Sequence, residues 1–242
     1  MADAPSDAPK RFYKIAAAAT AEGGFAVTLD GRSIRTPKRE RLILPNLALA
    51  ALIADEWAGQ GETIQLAGMR ATRLAYTAAD RVSVTRAETV AEVVRFAGSD
   101  LLCYFAEAPR ALVQRQQAQW TPLLDWAERA LGVRLNPVAG IIHAAQPAES
   151  LTRIETLCAE TDDFTLAGLT YATALYGSAV LALAVLHGEV TGEQAYEVSR
   201  LDEAFQQEQW GVDDEATNRT AHGRQDAVMI HNWFAALTNR SG

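Results

Sequence analysis

The side chains of this chain that could do chemistry are few and scattered. Histidines stand at only four positions, 143, 187, 222 and 231. His222 and His231 are nine residues apart on a predicted helix, where they cannot readily share one metal ion, so surface or packing roles are favoured. The sequence has no glycine-rich phosphate loop, no G-x-S-x-G nucleophile motif and no H-E-x-x-H metal motif. An enzyme is therefore unsupported but not excluded, and these patterns assign no catalytic residue, no metal ligand and no cofactor.

One segment, residues 201–211 (LDEAFQQEQWG), concentrates carboxylates and aromatic rings before a glycine ends it. At about 100° per residue, one side of this helix forms a core-facing apolar stripe. The stripe comprises Val198, Leu201, Ala204, Phe205 and Val212. Glu208 falls inside it, which makes it the best candidate for a carboxylate with a perturbed pKa. Because a buried acid needs an arginine or backbone donors nearby, a structural ion pair is favoured over general acid catalysis.

The remaining residues of this helix define its other faces. Asp202 lies on the flank of the stripe, whereas Glu203 and Trp210 point away from it, so we expect Trp210 to be at least partly exposed. Two interpretations of the tryptophan stay open. It packs beneath the next loop as a satellite core residue, or it anchors a partner protein with Asp202, Glu203 and Glu208 as an acidic rim.

Composition limits the classes of partner. The chain has 242 residues, 49% of them hydrophobic, and a mean hydropathy of −0.06, as in soluble globular proteins of one large or two modest domains. Thirty acidic and 22 basic residues give a net charge of −8, which repels nucleic acid unless a strong basic patch compensates. The densest group of bases, residues 35–41 (RTPKRER), is typical of a solvated loop between strands. We expect no nucleic-acid partner.

Cysteine usage and the N-terminus indicate the compartment. Cys103 and Cys158 form no paired motif, which favours a reducing environment over a disulfide scaffold or zinc site. Residues 1–10 are acidic and proline-rich, and we predict a disordered lead there. The N-terminus has neither the apolar core of a signal peptide nor the arginine-rich amphipathic character of a mitochondrial transit peptide. The protein is expected to stay in the compartment where it is made.

Residues 164–187 carry no formal charge and could span a bilayer by length alone. Their threonine, serine, tyrosine and glycine content argues against a span, as do the missing basic anchors and the two acids, Asp162 and Asp163, directly before the segment. A buried pair of helices, broken near Tyr176-Gly177, is favoured. We expect no stable membrane insertion, although a membrane-associated protein stays open as an alternative.

The N-terminal part of the chain reads as strands. Short apolar runs between Phe12 and Leu66 are separated by glycine pairs and by Asp30-Gly31, which is a strong hairpin signal. One helix is predicted within this part, capped by Asn46 and ended by Gly59. Its apolar stripe is expected to comprise Leu47, Ala51, Ala54 and Trp57 or Ala58.

Beyond about Ala67 the period becomes helical. Helices are predicted over residues 70–80, 84–97, 109–131, 147–161, 164–187 in two parts, 191–210 and 213–238. Short extended pieces are expected near DLLCYF and LNPVAGII. The predicted fold class is α+β, with a small, mostly antiparallel β N-terminal domain over residues 11–67 and a larger, mostly α-helical C-terminal domain over residues 68–242.

Several motifs carry a resemblance to a known family. In order, GGFAVTLDGRSIRTP, LALAALIADEW, TRLAYTAADRV, DLLCYFAEAPRALVQRQ and LDEAFQQEQWG resemble the ATP synthase assembly factor 2 family, the ATP-twelve chaperones. The resemblance runs from about Phe12 to Asn239. The sequence departs from the family pattern at Arg70, Tyr76 and Phe105, where the resemblance implies Pro, Asn and Arg. The roles of those three positions stay open.

The resemblance implies a non-enzymatic assembly chaperone for the catalytic head of the F-type ATP synthase. Such a chaperone binds the free alpha subunit and prevents its aggregation until the beta subunit replaces it. It implies a β-rich N-terminal domain and a helical C-terminal domain, and it makes Asp202, Glu203, Glu208 and Trp210 the candidate partner-binding residues. We expect a monomer in a bacterial cytoplasm, with eukaryotic relatives in the mitochondrial matrix. The alternatives are a small-molecule enzyme with an interdomain cleft near Glu208 and a membrane-associated assembly factor.

Overall fold

A computed structural model of the chain describes residues 8–210 and 214–238. It divides into two compact units: unit 1 comprises the chain up to Val84 and from Ala235 onward, and unit 2 comprises Thr85–Phe234. Residues 1–7 of the expected disordered lead lie outside the described residues. Pro9 and Lys10 are paired with the segment around Thr63, since Ile64 donates its N–H to the Pro9 carbonyl at 2.8 Å. That residues 11–67 form a domain in their own right stays a prediction.

In its described residues, unit 1 carries a three-stranded antiparallel sheet, ordered β1-β2-β3, and two complete α-helices. Its elements are β1 (Ala16–Ala21), β2 (Gly24–Leu29), β3 (Arg32–Ser33), α1 (Leu47–Ala58) and α2 (Arg70–Thr77). The hairpin predicted at Asp30-Gly31 joins β2 to β3, and both turn residues have positive φ, 48° and 82°. RLILP, residues 41–45, is one of the short apolar runs that predict strands, and it contributes an isolated bridge to β2 between Leu44 and Phe25.

Helix α1 begins and ends as predicted. The Asn46 Oδ1 atom accepts a hydrogen bond from the N–H of Leu49 at 2.8 Å, and the helix ends at Ala58 before Gly59. The predicted apolar stripe is confirmed at Ala54 and Trp57 but wrong at Leu47 and Ala51, which are exposed. The buried residues are Leu49, Ala50, Ile53, Ala54 and Trp57. Leu49, Ile53 and Trp57 are large apolar residues spaced four apart, and the face that they share is the one that is buried.

The described part of unit 2 is mostly helical and carries a short parallel strand pair. Its elements are α3 (Arg86–Ala97), β4 (Tyr104–Phe105), α4 (Arg110–Trp126), β5 (Val138–Ala139), α5 (Ala148–Ala159), α6 (Asp163–Tyr176), α7 (Ala179–Leu186), α8 (Gly192–Ser199), α9 (Leu201–Trp210) and α10 (Asp214–Thr238), whose last residues belong to unit 1. The α+β class is confirmed. The helix predicted over 191–210 is divided at Arg200, and the start predicted at 213 lies outside the described residues.

Helices α6 and α7 form the buried pair that the sequence predicts for residues 164–187. Gly177 separates them with φ of 67°, a left-handed conformation that favours glycine, and the Ser178 hydroxyl then accepts the N–H of Leu181 at 3.0 Å to cap α7. Residues 179–185 of α7 are all buried. Across 8–210 and 214–238, no helix has the length and apolar character needed to cross a membrane.

The N-terminus of α7 faces a fully buried carboxylate, Asp100. Its Oδ1 atom accepts the N–H of Leu102 and its Oδ2 atom accepts the N–H of Val180, both at 3.1 Å. Burial raises the pKa of Asp100 to about 6, although hydrogen bonds, first that of Ser178, act in the opposite direction. Desolvation therefore outweighs the donors at this site.

Asp100 should make stability depend on pH between about 4 and 6. Because its folded-state pKa lies above the ordinary value of 3.8, the folded protein binds the proton more tightly, and stability falls as pH rises through this range. The shift corresponds to about 3 kcal/mol in the free energy of unfolding. Urea unfolding of the protein and of Asp100→Asn at several pH values measures it. The free energy of unfolding of the unaltered protein minus that of Asp100→Asn should decrease or change sign as pH rises. An identical pH dependence of the two proteins would contradict this assignment.

Candidate partner-binding surface

Helix α9 changes from buried to exposed along its length. Leu201 and Phe205, four residues apart, are its two buried side chains and hold its first half in unit 2. In the last turn, Trp210 is 81% exposed, which confirms the exposure predicted from the helical periodicity. The alternative, that Trp210 packs beneath the next loop, involves residues 211–213, which lie outside the described residues.

Glu208 does not lie in the core, contrary to the prediction. Its side chain is 51% exposed, because Phe205 is the last residue of α9 to reach the core and the next turn extends past it. Ala204, placed in the same stripe, is also exposed, and Val212 lies outside the described residues. The Arg115 Nη1 atom donates to the Glu208 Oε1 atom at 2.8 Å. The expected ion pair is thus present, but at the surface.

Arg115, on α4, contacts α9 twice. Besides the bond to Glu208, its guanidinium carbon lies 5.2 Å from the centre of the Phe205 ring, a cation–π contact. The hydrogen bond from Arg115 lowers the pKa of Glu208, and the same bond raises the pKa of Arg115. A general acid at neutral pH needs its pKa raised. Glu208 is therefore suited to remain an anion, and its pKa gives no support to an enzyme that uses this carboxyl as its acid.

Asp202 is fixed by a buried amide. The Gln116 Nε2 atom, on α4, donates to the Asp202 Oδ1 atom at 2.7 Å, and the Gln116 Oε1 atom accepts the N–H of Ala106 at 2.7 Å, directly after β4. Phe105 of β4 packs edge-on against Trp120 of α4, with ring centres 5.4 Å apart. The first turn of α9 and the end of β4 are therefore held by the same helix.

Glu203 completes the candidate rim with an ion pair one turn back, since its Oε1 atom lies 3.0 Å from the Arg200 Nη1 atom. The three carboxylates at positions 202, 203 and 208 are therefore engaged by Gln116, Arg200 and Arg115. The two ion pairs are largely exposed, and such pairs contribute only about 0 to 1 kcal/mol. Exchanging Arg115 or Arg200 for a cation of a partner protein would therefore cost little free energy.

The sequence did not predict the residues that orient these acids. Arg115 and Gln116 are 93 and 86 residues away from Glu208 and Asp202, so no local pattern connects them. Only the pair between Arg200 and Glu203 carries a sequence signal, because side chains three residues apart can meet on a helix.

The histidines and cysteines are the other reactive side chains of the described residues. Among residues 8–210 and 214–238, no three or more histidine, cysteine or acidic side chains are grouped to hold a metal ion. The His143 Nδ1 atom lies 3.1 Å from the Tyr104 hydroxyl, and burial lowers the pKa of His187. Cys103 and Cys158 are free and buried, and burial raises the pKa of both thiols, so they remain protonated.

Comparison with known proteins gives consistent results. Residues 10–128 match the family described as ATP12 chaperone protein. The mitochondrial protein atp12 of Schizosaccharomyces pombe is 26% identical over 219 residues, which cover 86% of this chain and 75% of that protein.

Two crystal structures are similar at higher identity. Atp12 from Paracoccus denitrificans is 36% identical, with a TM-score of 0.88, and the match covers 94% of this chain and 98% of that chain. The Atu1473 protein of Agrobacterium tumefaciens is 42% identical, with a TM-score of 0.89, and the match covers 95% of this chain and 87% of that chain. The likeness therefore extends well beyond the segment that matches the family.

Proposed function

The chain belongs to the ATP12 family of ATP synthase assembly chaperones, and we propose that its client is the free alpha subunit of the F-type enzyme. The chaperone keeps this subunit from aggregating until the beta subunit replaces it. An isolated subunit exposes the surface that it will bury against its neighbour, so a chaperone must cover that surface reversibly.

The observation that carries this proposal is the exposure of Trp210 on a helix that is otherwise anchored in unit 2. A large exposed aromatic ring at the end of a held helix is typical of a binding anchor, and tryptophan is enriched among interface residues that dominate affinity. Asp202, Glu203 and Glu208 lie on the same helix. They supply the polar rim, and their charge favours fast association with a basic surface of the client.

The proposal includes further properties. The protein has no catalytic activity, which agrees with the lowered pKa of Glu208 and with protonated, buried thiols. It acts without nucleotide or metal, as a monomer when free, in a bacterial cytoplasm, whereas its eukaryotic relatives act in the mitochondrial matrix. Its net charge of −8 disfavours nucleic acid as a partner.

Charge reversal at Glu203 tests the acidic rim. Glu203→Lys should weaken binding of the alpha subunit by about 1 kcal/mol, or roughly fivefold, because it places two cations where Glu203 and Arg200 now balance each other. The melting temperature should change little, since Glu203 is 42% exposed and its ion pair is weak. Dissociation constants measured at low and high salt give the effect, which should decrease with salt.

Glu155→Lys is the matched control for this experiment. Glu155 is an exposed acid on α5, so the substitution makes the same change in net charge on another helix of unit 2. It should leave alpha-subunit binding close to that of the unaltered protein. Equal losses in Glu155→Lys and Glu203→Lys would show that net charge alone is responsible, and would refute a role for the rim.

A further inference from the structure

A second exposed apolar feature lies in unit 2, away from α9 in sequence. Residues 136–146, here called the isoleucine loop, carry Ile141 and Ile142 with exposures of 97% and 82%. The loop contains no aspartate, glutamate, lysine or arginine, although such residues make up 21% of the chain. Two adjacent, nearly fully exposed isoleucines on an uncharged segment are unfavourable in water, which suggests that they have a binding role.

The isoleucine loop is closed at its base by one side chain. Gln146 is buried, its Oε1 atom accepts the N–H of Asn136 at 2.7 Å, and its Nε2 atom donates to the Asn136 carbonyl at 3.2 Å. This pair of bonds reproduces the two-bond exchange between opposed residues in an antiparallel ladder. The two ends of the loop are therefore fixed next to each other.

The flanks of the two isoleucines are also held. Strand β5 lies in the loop and pairs with β4, and the N–H of Gly140 donates to the Phe105 carbonyl at 2.8 Å. On the other side, the His143 ring contacts the Tyr104 hydroxyl. Ile141 and Ile142 therefore lie between two attachment points. Anchors on a segment that is already ordered lose little conformational entropy when they bind.

The isoleucine loop and α9 are attached to the same helix. The N–H of Ala106, directly after β4, binds the Gln116 Oε1 atom, and the Gln116 Nε2 atom binds Asp202 in the first turn of α9. Phe105, which pairs with β5, packs on Trp120 of α4. Helix α4 of unit 2 therefore contacts both α9, which carries the acidic aromatic surface, and β4, which pairs with the isoleucine loop.

We infer that Ile141 and Ile142 form a second anchor that inserts into an uncharged apolar hollow of the same client subunit that Trp210 contacts. This inference rests on the proposed function. The absence of formal charge in the loop fits an apolar surface of the client, whereas the carboxylates of α9 fit its basic surroundings. Two anchors on one support bind a single client more tightly than either does alone.

Binding of purified alpha subunit to the full-length chaperone tests the inference. Ile141→Ser combined with Ile142→Ser should raise the dissociation constant about tenfold, mainly through faster dissociation. Ile15→Ser is the matched control, because Ile15 is 66% exposed in unit 1 and undergoes the same chemical change. It should bind as the unaltered protein does. All three substitutions lie at exposed positions, so the melting temperatures should differ by no more than about 2 °C.

The outcomes separate this inference from the proposed function. If the double variant melts normally and binds like the control while Trp210→Ala binds weakly, the isoleucine anchor is refuted and the proposed function stands. If the unaltered protein does not bind the alpha subunit, the proposed function and this inference both fail. Sedimentation velocity tests the remaining outcome, which is that the unaltered protein forms a dimer through the isoleucine loop. If the double variant loses this dimer while client binding is unchanged, a second copy of the chain occupies the loop and the inference is overturned.

Discussion

Replacing Trp210 with alanine is expected to weaken binding of the alpha subunit by about 2 kcal/mol or more, which is roughly thirtyfold in the dissociation constant. The side chain is 81% exposed in the free chaperone, so its truncation removes almost no contact from the fold. The loss should therefore appear in binding and in suppression of alpha-subunit aggregation, with an unchanged melting temperature.

Trp210→Phe is the control for this result. Phenylalanine keeps a large apolar ring but loses the indole N–H, so it should retain most of the affinity if burial is the dominant contribution. If Trp210→Ala melts normally and protects the client as well as the unaltered protein does, the client binds elsewhere and the assignment of α9 as the binding helix is wrong.

The largest expected effect on stability is that of Gly192→Ala. A Cβ atom at Gly192 would lie 2.0 Å from the carbonyl oxygen of Ala227 and 3.0 Å from the Cβ atom of His231, so α8 and α10 would have to separate. Alanine otherwise has a higher helix propensity than glycine, so any loss of stability in Gly192→Ala is caused by the steric clash. We expect a decrease of about 3 kcal/mol in the free energy of unfolding and a melting temperature lower by about 10 °C.

Gly61→Ala is the comparison for this substitution. A Cβ atom at Gly61 meets no heavy atom within 4 Å, and Gly61 does not have the positive φ that favours glycine. The free energy of unfolding of Gly61→Ala should therefore stay within about 0.5 kcal/mol of that of the unaltered protein. Urea unfolding of both variants is the measurement. Equal stability of Gly192→Ala and Gly61→Ala would show that α8 and α10 adapt without cost.

Features set by neighbouring residues were predictable from the sequence. The Asn46 cap, the end of α1 before Gly59, the turn at Asp30-Gly31 and the break at Gly177 each depend on the conformational preference of one or two residues. The class of fold and the exposure of Trp210 follow from periodicity, which is also a local property.

Features set by distant packing were not predictable. The register of the α1 stripe depends on which face meets the sheet, and the exposure of Glu208 depends on where the core of unit 2 ends. A helical wheel extends a stripe indefinitely, whereas the core that it faces is finite, so periodicity predicts Glu208 inside a stripe that ends at Phe205. The partners of the acidic residues, Arg115 and Gln116, come from α4, and only the folded chain brings them there.

The buried amide of Gln116 has one further consequence. Its oxygen must face the N–H of Ala106 and its nitrogen must face the carboxylate of Asp202, because the reverse orientation would oppose donor to donor and acceptor to acceptor. Neither bond can therefore be exchanged independently of the other. The amide therefore has a fixed polarity, and it couples the carboxylate of Asp202 on α9 to the end of β4, the strand that pairs with β5 of the isoleucine loop.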